Sequence, residues 1–385
     1  MDLKKEIKLS DLVPRRKRKP GAARVASKPT SGRAKKRELV GLKVGASQLA
    51  ASRVVNNGSA KLVGVARLPL ERGVVVAGEV RDVPALARAL DKLFTDNKLP
   101  RRGVRLGLAT NRIGVRAFEI DGIADERQLD NAIRFRAHEA VSIPIDQAVL
   151  DYHVVGEAVD EAGNVSRRIL LAAAYRESID RYVEACRAAG IELVGIDLEA
   201  FALLRAVAPA ERSQTDKPVA LVAVSLGHDR STLAISDGET CEFTRVLEWG
   251  GEKLESAIAF DLGVTPDEAH ELLLDASLEG DPDRVEDSRQ AAVRESLRRE
   301  LQKLARELVA SLQFYQSQPG SLAISQILIS GGASRLPGLP EELERLTRVS
   351  VRRADPLAHV QASDSVRSRD DLASLAIAIG LGVEV

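Results

Sequence analysis

The sequence of 385 residues is poor in aromatic residues and cysteine, and it contains no long apolar run. Aromatic side chains make up 3% of it, too few for the stacking platforms that bind single-stranded nucleic acids. The cysteines, Cys186 and Cys241, are too few for a disulfide scaffold and form no metal-ligand pair, which favours a reducing compartment. No stretch approaches about 18 consecutive apolar residues, and the N-terminus has no apolar signal region. We therefore expect neither a membrane span nor secretion.

The formal net charge of zero conceals an uneven distribution of charge. Residues 1–38 hold fourteen Lys and Arg against four Asp and Glu, so the rest of the chain is acidic. A basic arm on an acidic body is typical of a solvated tail, or of a segment attracted to anionic lipid head groups. Nucleic acid is disfavoured as a partner because the body has no basic face that the sequence reveals.

The arm itself has two parts. Residues 15–37 are rich in charge, Gly, Pro, Ser and Ala and show no periodicity, which predicts a disordered linker. Before it, Ile7, Leu9, Leu12 and Val13 form a small apolar motif. Such a motif can dock into a groove of its own body or of a partner, or it is an idle tail.

From Leu39 onward the pattern alternates between strands and helices, as in an α/β protein of two or three domains. The length and the hydrophobic content of 44% permit a sizeable core. The predicted strands are 40–45, 48–55, 60–68, 103–109, 112–119, 149–155, 167–174, 191–197, three from Val219 onward, 325–332 and 349–353. The predicted helices are 83–97, 125–141, 176–190, 198–207, 250–262, 265–275, 284–317, ELERLT and the apolar C-terminal LASLAIAIGLG.

An internal repeat relates residues 40–58 to residues 222–238. Each has a hydrophobic strand, a glycine turn, a second strand and an Asn-Gly or Asp-Gly turn. In this comparison Gly45 corresponds to Gly227, and Lys43 to Ser225. The repeat predicts a duplicated architecture with a cleft between its halves.

Four glycine turns indicate a nucleotide site in that cleft. The turns at 43–48 and 225–230 would face each other and offer backbone N–H groups to a polyphosphate. The turn at 330–339 would let the backbone approach a purine or ribose, and 250–259 would add further contacts. The candidate nucleotide-binding residues are Lys43, Gly45, Ala46, Ser47, Gln48, Gly227, His228, Asp229, Lys253, Gly331, Gly332 and Arg335.

Residues 195–206, 243–273 and 327–346 carry a family resemblance that covers about 39–385. The sequence resembles the actin-like ATPase superfamily and, within it, the type IV pilus assembly protein PilM family, which is related to the cell-division protein FtsA. The resemblance implies a two-lobed, duplicated (ribonuclease H-like) α/β fold. Its expected parts are lobe 1 (39–217), with an inserted subdomain called 1C at about 80–195, and lobe 2 (218–385).

The resemblance also implies a role for the protein. Members of this family form a cytoplasmic platform at the inner face of the cytoplasmic membrane, and their 1C region binds the cytoplasmic tail of the membrane protein PilN. We therefore expect a pilus-assembly scaffold, with other pilus components and self-association as further contacts. The alternatives are an active ATPase of the pilus machine and an FtsA-like membrane tether. A tether would require an amphipathic C-terminal helix, whereas LASLAIAIGLG lacks a basic face and predicts a packed helix.

The phosphate turns depart from the pattern that the resemblance implies. Family members have an aspartate in each turn, but these positions hold Lys43 and Ser225, and Ala50 replaces the loop lysine. Phosphoryl transfer depends on carboxylates that position Mg²⁺. The sequence predicts no efficient hydrolysis and no catalytic or metal-ligating residue; ATP is a candidate ligand without Mg²⁺.

The sequence leaves alternatives open for the charged residues of the turns. Lys43 contacts a phosphate, forms an ion pair in a collapsed, empty cleft, or extends into solvent. Asp229 is a turn residue or a displaced acid, and Asp197 is a helix N-cap or, with Glu199, part of an acidic pair. Ser225 lacks the histidine that would activate a nucleophile. His228 and His270 are expected on the surface.

The resemblance also suggests an occupant for the groove on the 1C side. Ile7, Leu9, Leu12 and Pro14 resemble the docking motif of PilN tails. We expect the arm to fill that groove, in the same molecule or in a neighbouring subunit.

Overall fold

The computed structural model describes residues 37–123, 125–141, 143–159, 165–208, 218–279, 287–369 and 371–384. The predicted docking motif (Ile7, Leu9, Leu12 and Pro14) lies outside these residues. So does the basic arm up to residue 36, so both interpretations stay predictions. The predicted arm ended at residue 38, but the first strand begins at Arg37.

The elements follow one another in the order of the sequence. The strands are β1 (Arg37–Val44), β2 (Gln48–Asn56), β3 (Ala60–Pro69), β4 (Val75–Val76), β5 (Glu79–Val80), β6 (Val104–Leu108), β7 (Ile113–Asp121), β8 (Ala148–Val159), β9 (Val165–Tyr175), β10 (Leu193–Leu198), β11 (Val219–Leu226), β12 (Ser231–Ser236), β13 (Cys241–Leu247), β14 (Ala323–Ser330), β15 (Ser350–Arg353) and β16 (Val360–Ala362). The helices are α1 (Val83–Asp96), α2 (Glu126–Ala140), α3 (Arg176–Ala188), α4 (Glu199–Val207), α5 (Glu252–Leu262), α6 (Pro266–Leu274), α7 (Ser288–Gln316), α8 (Leu339–Thr347), α9 (Asp364–Arg367) and α10 (Ala376–Gly382).

The first large sheet has six strands in the order β10-β6-β1-β2-β3-β16. β1, β2 and β3 form an antiparallel meander, while β6 and β10 run parallel to β1. Val40, Leu42 and Leu106 belong to its core, which α1 and α3 help to form. Residues 39–42 of β1 are buried without alternation, as expected for a central strand covered on both faces.

The second large sheet repeats this plan with strand order β13-β12-β11-β14-β15. β11, β12 and β13 are again an antiparallel meander, and β14 and β15 run parallel to β11. The long helix α7 buries Leu297, Leu301, Leu304 and Leu308 at helical spacing in this core. The repeated hairpins of the sequence therefore open two halves with the same strand order.

A third sheet, β7-β9-β8, forms a separate small unit with α2. Its core includes Ile133 of α2 and Ile169 of β9, and Asp125 caps α2 by accepting the N–H groups of Arg127 and Gln128, each at 3.0 Å. The stretch of about 80–195 predicted as the 1C insert contains this unit. It also contains α1, β6, α3 and the start of β10, which belong to the first large sheet or pack on its core.

The C-terminal segment returns to the first large sheet. β16 pairs with β3, and α10 packs against α4 and β1. The guanidinium of Arg105 donates to the carbonyl oxygens of Leu381 (3.2 Å) and Val383 (2.9 Å), and that of Arg205 to Gly380 (3.0 Å). These bonds satisfy carbonyl groups that a helix end leaves without intrahelical partners. Predicted lobe 2 (218–385) thus includes a segment that packs on the first lobe.

The apolar C-terminal helix is packed inside the protein, as its composition predicted. Every residue of α10 is buried. Among the described residues, no helix has the length and apolarity needed to cross a bilayer.

We predict that Gly380→Ala lowers the free energy of unfolding by about 2–3 kcal/mol, because its methyl group would overlap the backbone carbonyl of Ala202 on α4. Gly195→Ala on β10 is the matched control, since a methyl group there meets no atom within 4 Å. Urea unfolding at neutral pH measures both variants. An unfolding midpoint of Gly380→Ala equal to that of the wild type would contradict the close packing of α10 on α4.

Candidate functional site

A cleft of about 550 Å³ lies between the two halves, where β1 and β11 end. We call it the front cleft. Eleven of the twelve predicted nucleotide-binding residues line it: Lys43, Gly45, Ala46, Ser47, Gln48, Gly227, His228, Asp229, Gly331, Gly332 and Arg335. Lys253 does not line it; it lies on the exposed side of the first turn of α5. All four predicted turns thus border the cleft, the fourth through Gly251, Leu254 and Glu255. Nucleotide binding by them stays a prediction.

The two hairpin turns have the same internal hydrogen bond. The N–H of Gly45 donates to the carbonyl of Gln48 (3.0 Å), and the N–H of Gly227 donates to the carbonyl of Arg230 (3.1 Å). Among the described residues, the N–H groups at 46, 47, 228 and 229 have no hydrogen-bond partner. Adjacent free N–H groups in a tight turn are suited to an anion.

The third turn supports the hairpin of the second half. Gly331 has a φ of 89°, and a side chain there would overlap the carbonyl of Leu226 at the end of β11. The N–H of Gly331 donates to the carbonyl of Ala373 (2.8 Å), in the segment before α10. Glycine is required here because the turn combines a left-handed conformation with close backbone contact.

Lys43 forms an ion pair inside the front cleft. Its Nζ lies 3.4 Å from Oε2 of Glu199, and the side chains are 19% and 6% exposed. Glu199 is the first residue of α4, where the helix dipole favours a negative charge. Of the three alternatives for Lys43, the described structure has the ion pair, but in an open cleft and not a collapsed one.

Two further candidate acids are also paired with cations. Asp197 is buried at the end of β10 and forms an ion pair with Arg205. The N-cap interpretation of Asp197 is wrong, because the cap position is Leu198 and the Asp197 side chain points to Arg205 instead. Asp229 pairs with the adjacent Arg230. A metal ion would have to compete with the paired cation at each of these carboxylates, although Oδ1 of Asp197 is buried without a hydrogen-bond partner among the described residues.

Arg230 also joins the two halves, a contact that no pattern in the sequence indicates. Its Nη1 donates to the carbonyl of Ala109 (3.1 Å), just after β6 in the first half.

Ser225 is the residue of the second repeat that corresponds to Lys43 in the first. It is 3% exposed, lines the front cleft, and its hydroxyl has no hydrogen-bond partner among the described residues. In the sequence, Ser225 is distinguished only as the single polar residue of the otherwise apolar strand β11.

A second cavity of about 530 Å³, which we call the rear cavity, adjoins the front cleft. Ala109 and Thr232 line both cavities. Residues 244–248, the end of β13 and Glu248, line the rear cavity. In the described residues β13 pairs only with β12, so its other edge has no strand partner.

The histidines and cysteines do not form a metal site in the described part of the chain. Nδ1 of the exposed His270 lies 3.0 Å from Oε1 of Glu255, and His228 is half-buried in its turn. Burial raises the pKa of Cys186 to about 12, and burial also raises that of Cys241. No group of three or more His, Cys, Asp or Glu in the described residues could hold a metal ion.

Comparisons with known proteins agree on the fold. The sequence model of a family described as type IV pilus assembly protein PilM matches residues 41–385. The cell division protein FtsA of Pseudomonas aeruginosa is 25% identical over 368 residues, which is 86% of this chain and 86% of that protein. FtsA of Escherichia coli K12 is 24% identical over 362 residues, 83% of this chain and 84% of that protein.

Solved structures show the same architecture. The chain matches the PilM–PilN type IV pilus biogenesis complex with a TM-score of 0.73 and 23% identity, covering 90% of this chain and 97% of that chain. The ethanolamine utilization protein EutJ of Carboxydothermus hydrogenoformans gives a TM-score of 0.51 at 14% identity, covering 92% of each chain. MreB5 of Spiroplasma citri bound to ADP gives 0.50 at 13% identity, covering 89% and 94%. The predicted actin-like fold is confirmed.

Asp371 fixes the rim of the front cleft to the segment before α10. It accepts hydrogen bonds from Arg369 (2.7 and 2.8 Å) and from Arg67 (3.0 Å), which lines the cleft. These bonds, first that from Arg369, lower the pKa of Asp371 to about 2. A carboxyl group whose pKa is lowered by folding stabilises the fold above its ordinary pKa near 4, and this contribution is lost as the pH falls towards 2.

We predict that Asp371→Asn lowers the free energy of unfolding by about 1 kcal/mol at pH 7, with the difference from the wild type shrinking as the pH falls from about 4 to 2. Urea unfolding across that range measures it. Asp96→Asn is the control, because Asp96 forms an exposed pair with Lys92 (2.9 Å) and should change stability by less than about 0.5 kcal/mol. A difference that stays constant with pH would show that the charge of Asp371 is not the cause.

Proposed function

Because the chain belongs to the type IV pilus assembly protein PilM family, we propose that it is a non-hydrolysing, actin-like scaffold of a type IV pilus machine. Its task is to dock the cytoplasmic tail of a PilN-type inner-membrane protein. This task places it in the cytoplasm at the inner face of the membrane, where the basic run 15–37 can contact anionic lipid. Other pilus components and a second copy of the chain are further contacts in this proposal.

The pairing of Lys43 with Glu199 is the observation that carries the non-hydrolysing part of the proposal. Mg²⁺-dependent phosphoryl transfer needs carboxylates that orient the metal and its waters. At this position the cleft has an ammonium group, and its nearby carboxylate already neutralises that ammonium. A divalent cation would be repelled by Lys43 and would have to compete for Glu199.

The rear cavity supports the docking part of the proposal. An extended peptide can add to the free edge of a strand, with main-chain hydrogen bonds supplying affinity and side-chain pockets supplying specificity. β13 is an edge strand among the described residues and its residues 244–247 line this cavity, to which Ile113, Leu198 and Val246 give apolar walls. A short tail with alternate apolar residues fits such a surface, because successive side chains of a strand point to opposite faces.

The rim of the rear cavity is polar and joins the two halves. The side chain of Asn111, after β6, donates to Oε1 of Glu248, after β13, at 2.8 Å. A peptide bound in the rear cavity would contact both halves and the small β7-β9-β8 unit, since β7 lies against β13. Docking there would hold the halves in one arrangement, which is what a scaffold requires.

We predict that Val246→Arg weakens binding of the tail at least tenfold, because the longer charged side chain would occupy an apolar wall of the rear cavity. Fluorescence polarisation of a labelled peptide with the sequence of the cytoplasmic tail of the PilN-type protein from the same genome, titrated with the full chain, measures this. Val63→Arg is the control, because Val63 is an exposed residue of β3. Wild-type affinity in folded Val246→Arg would exclude the rear cavity as the docking site.

We also predict no Mg²⁺-dependent release of phosphate from ATP above the spontaneous rate, with or without the bound tail peptide. The physical reason is that the three candidate acids, Asp197, Glu199 and Asp229, are each neutralised by a basic side chain. A coupled phosphate assay on purified full chain measures it. Release that is abolished by Glu199→Gln and retained by Glu255→Gln would instead establish an active ATPase.

A further inference from the structure

The ion pair of Lys43 leaves hydrogen-bonding capacity unused. At 3.4 Å the contact with Glu199 is longer than the 2.7–2.9 Å of a charge-assisted hydrogen bond. Among the described residues the ammonium of Lys43 donates no hydrogen bond, although it has three N–H groups and lies mostly out of solvent. A group of this kind is stabilised further by any anion that accepts those protons.

Other unused donors surround the same space. The hydroxyl of Ser225, on the strand that corresponds to β1 in the second half, lines the front cleft without a partner. The free N–H groups at 46, 47, 228 and 229 lie in the two turns that border it. An ammonium, a hydroxyl and four amide donors form a set that suits an anion with several oxygen atoms, such as a chain of phosphates.

The carboxylates of the cleft are arranged differently from these donors. Asp229 is held by Arg230, and Glu255 lies against His270. Glu199 alone faces Lys43, and it lines the cleft from the start of α4. If Lys43 moved away from Glu199, the helix dipole at the start of α4 would retain part of the stabilisation of this carboxylate.

We propose that Glu199 is an internal counter-ion that a phosphate group replaces, so that the front cleft binds a nucleoside polyphosphate with Lys43 in the place of a divalent cation. The volume of about 550 Å³ is in the range of small-molecule sites. Beyond the phosphate turns, the glycine turn at Gly331–Gly332 and the apolar Leu254 and Leu273 line a less polar part of the cleft, where the base and ribose would lie. The proposal does not depend on tail docking.

The proposal predicts opposite effects for the two members of the ion pair. Glu199→Gln removes the competing anion and should tighten binding of metal-free ATP about tenfold. Lys43→Met removes the cation and should weaken it at least tenfold. A purely structural ion pair would give no binding in either variant, or equal losses in both. Binding should be stronger in excess EDTA than in excess Mg²⁺, because Mg²⁺ lowers the negative charge that Lys43 attracts.

Isothermal titration calorimetry of the full chain with ATP, in EDTA and in Mg²⁺, tests this. Glu255→Gln is the matched control for Glu199→Gln: it also removes a carboxylate from the cleft, but not the one at Lys43, so its affinity should stay near that of the wild type. Lys253→Met is the control for Lys43→Met, because Lys253 does not line the cleft. Thermal unfolding of each variant confirms that it is folded.

Competition experiments distinguish the contribution of the phosphates to ATP binding from that of the adenosine part. Sodium tripolyphosphate should displace ATP in Glu199→Gln, and adenosine alone should do so only weakly. Affinity of Glu199→Gln no higher than that of the wild type would overturn the proposal, as would binding that requires Mg²⁺ or a folded Lys43→Met that binds as well as the wild type. Absence of ATP binding in both the wild type and Glu199→Gln would also overturn it, whatever the tail-peptide assay shows.

Discussion

The ion pair between Lys43 on β1 and Glu199 on α4 sets the electrostatics of the front cleft. An ammonium group that is mostly removed from water needs an anion nearby, and Glu199 supplies one from a position that the dipole of α4 favours. A metal ion would have to compete with that cation for the carboxylate. The same holds for Asp197 and Asp229, which neutralise arginines of their own. The cleft is therefore open in shape, while the two candidate acids that line it, Glu199 and Asp229, are already paired with cations.

The two cavities share lining residues, and Arg230 connects these residues to the hairpin turn at 225–230. The residue ends the second hairpin turn, where its carbonyl accepts the N–H of Gly227, and its side chain reaches Ala109 in the other half. Ala109 and Thr232 face both the front cleft and the rear cavity. A movement of this turn that breaks the bond to Ala109 would therefore change both cavities. The turn that carries Arg230 is therefore an element whose position both cavities could influence, and such an element is the physical basis of coupling between two sites.

Local patterns in the sequence predicted most of the elements, and nonlocal contacts account for what it missed. Helical periodicity placed a helix at 83–97, where the structure has Val83–Asp96, and the glycine turns located both hairpins. The partner of Asp197 could not be predicted, because Arg205 lies two turns along α4 and the choice between a cap and an ion pair depends on the tertiary position of that helix. The side chain of Lys253 was assigned to the cleft from its neighbouring glycines, yet the helix phase turns it to solvent. The return of α10 to the first sheet likewise depends on packing against residues that are distant in sequence.

A fixed cation and an exchangeable one give a cleft different properties. A divalent metal arrives with the nucleotide and leaves with the product, so the charge of the site changes through a catalytic cycle. Lys43 is covalently part of the chain, and the anion that neutralises it is either Glu199 or a ligand. Under the proposed exchange, occupancy of the cleft would follow the concentration of ligand at equilibrium, because no hydrolytic step would drive it in one direction. A scaffold with such a cleft would keep the arrangement of its halves that the ligand favours for as long as the ligand stayed bound.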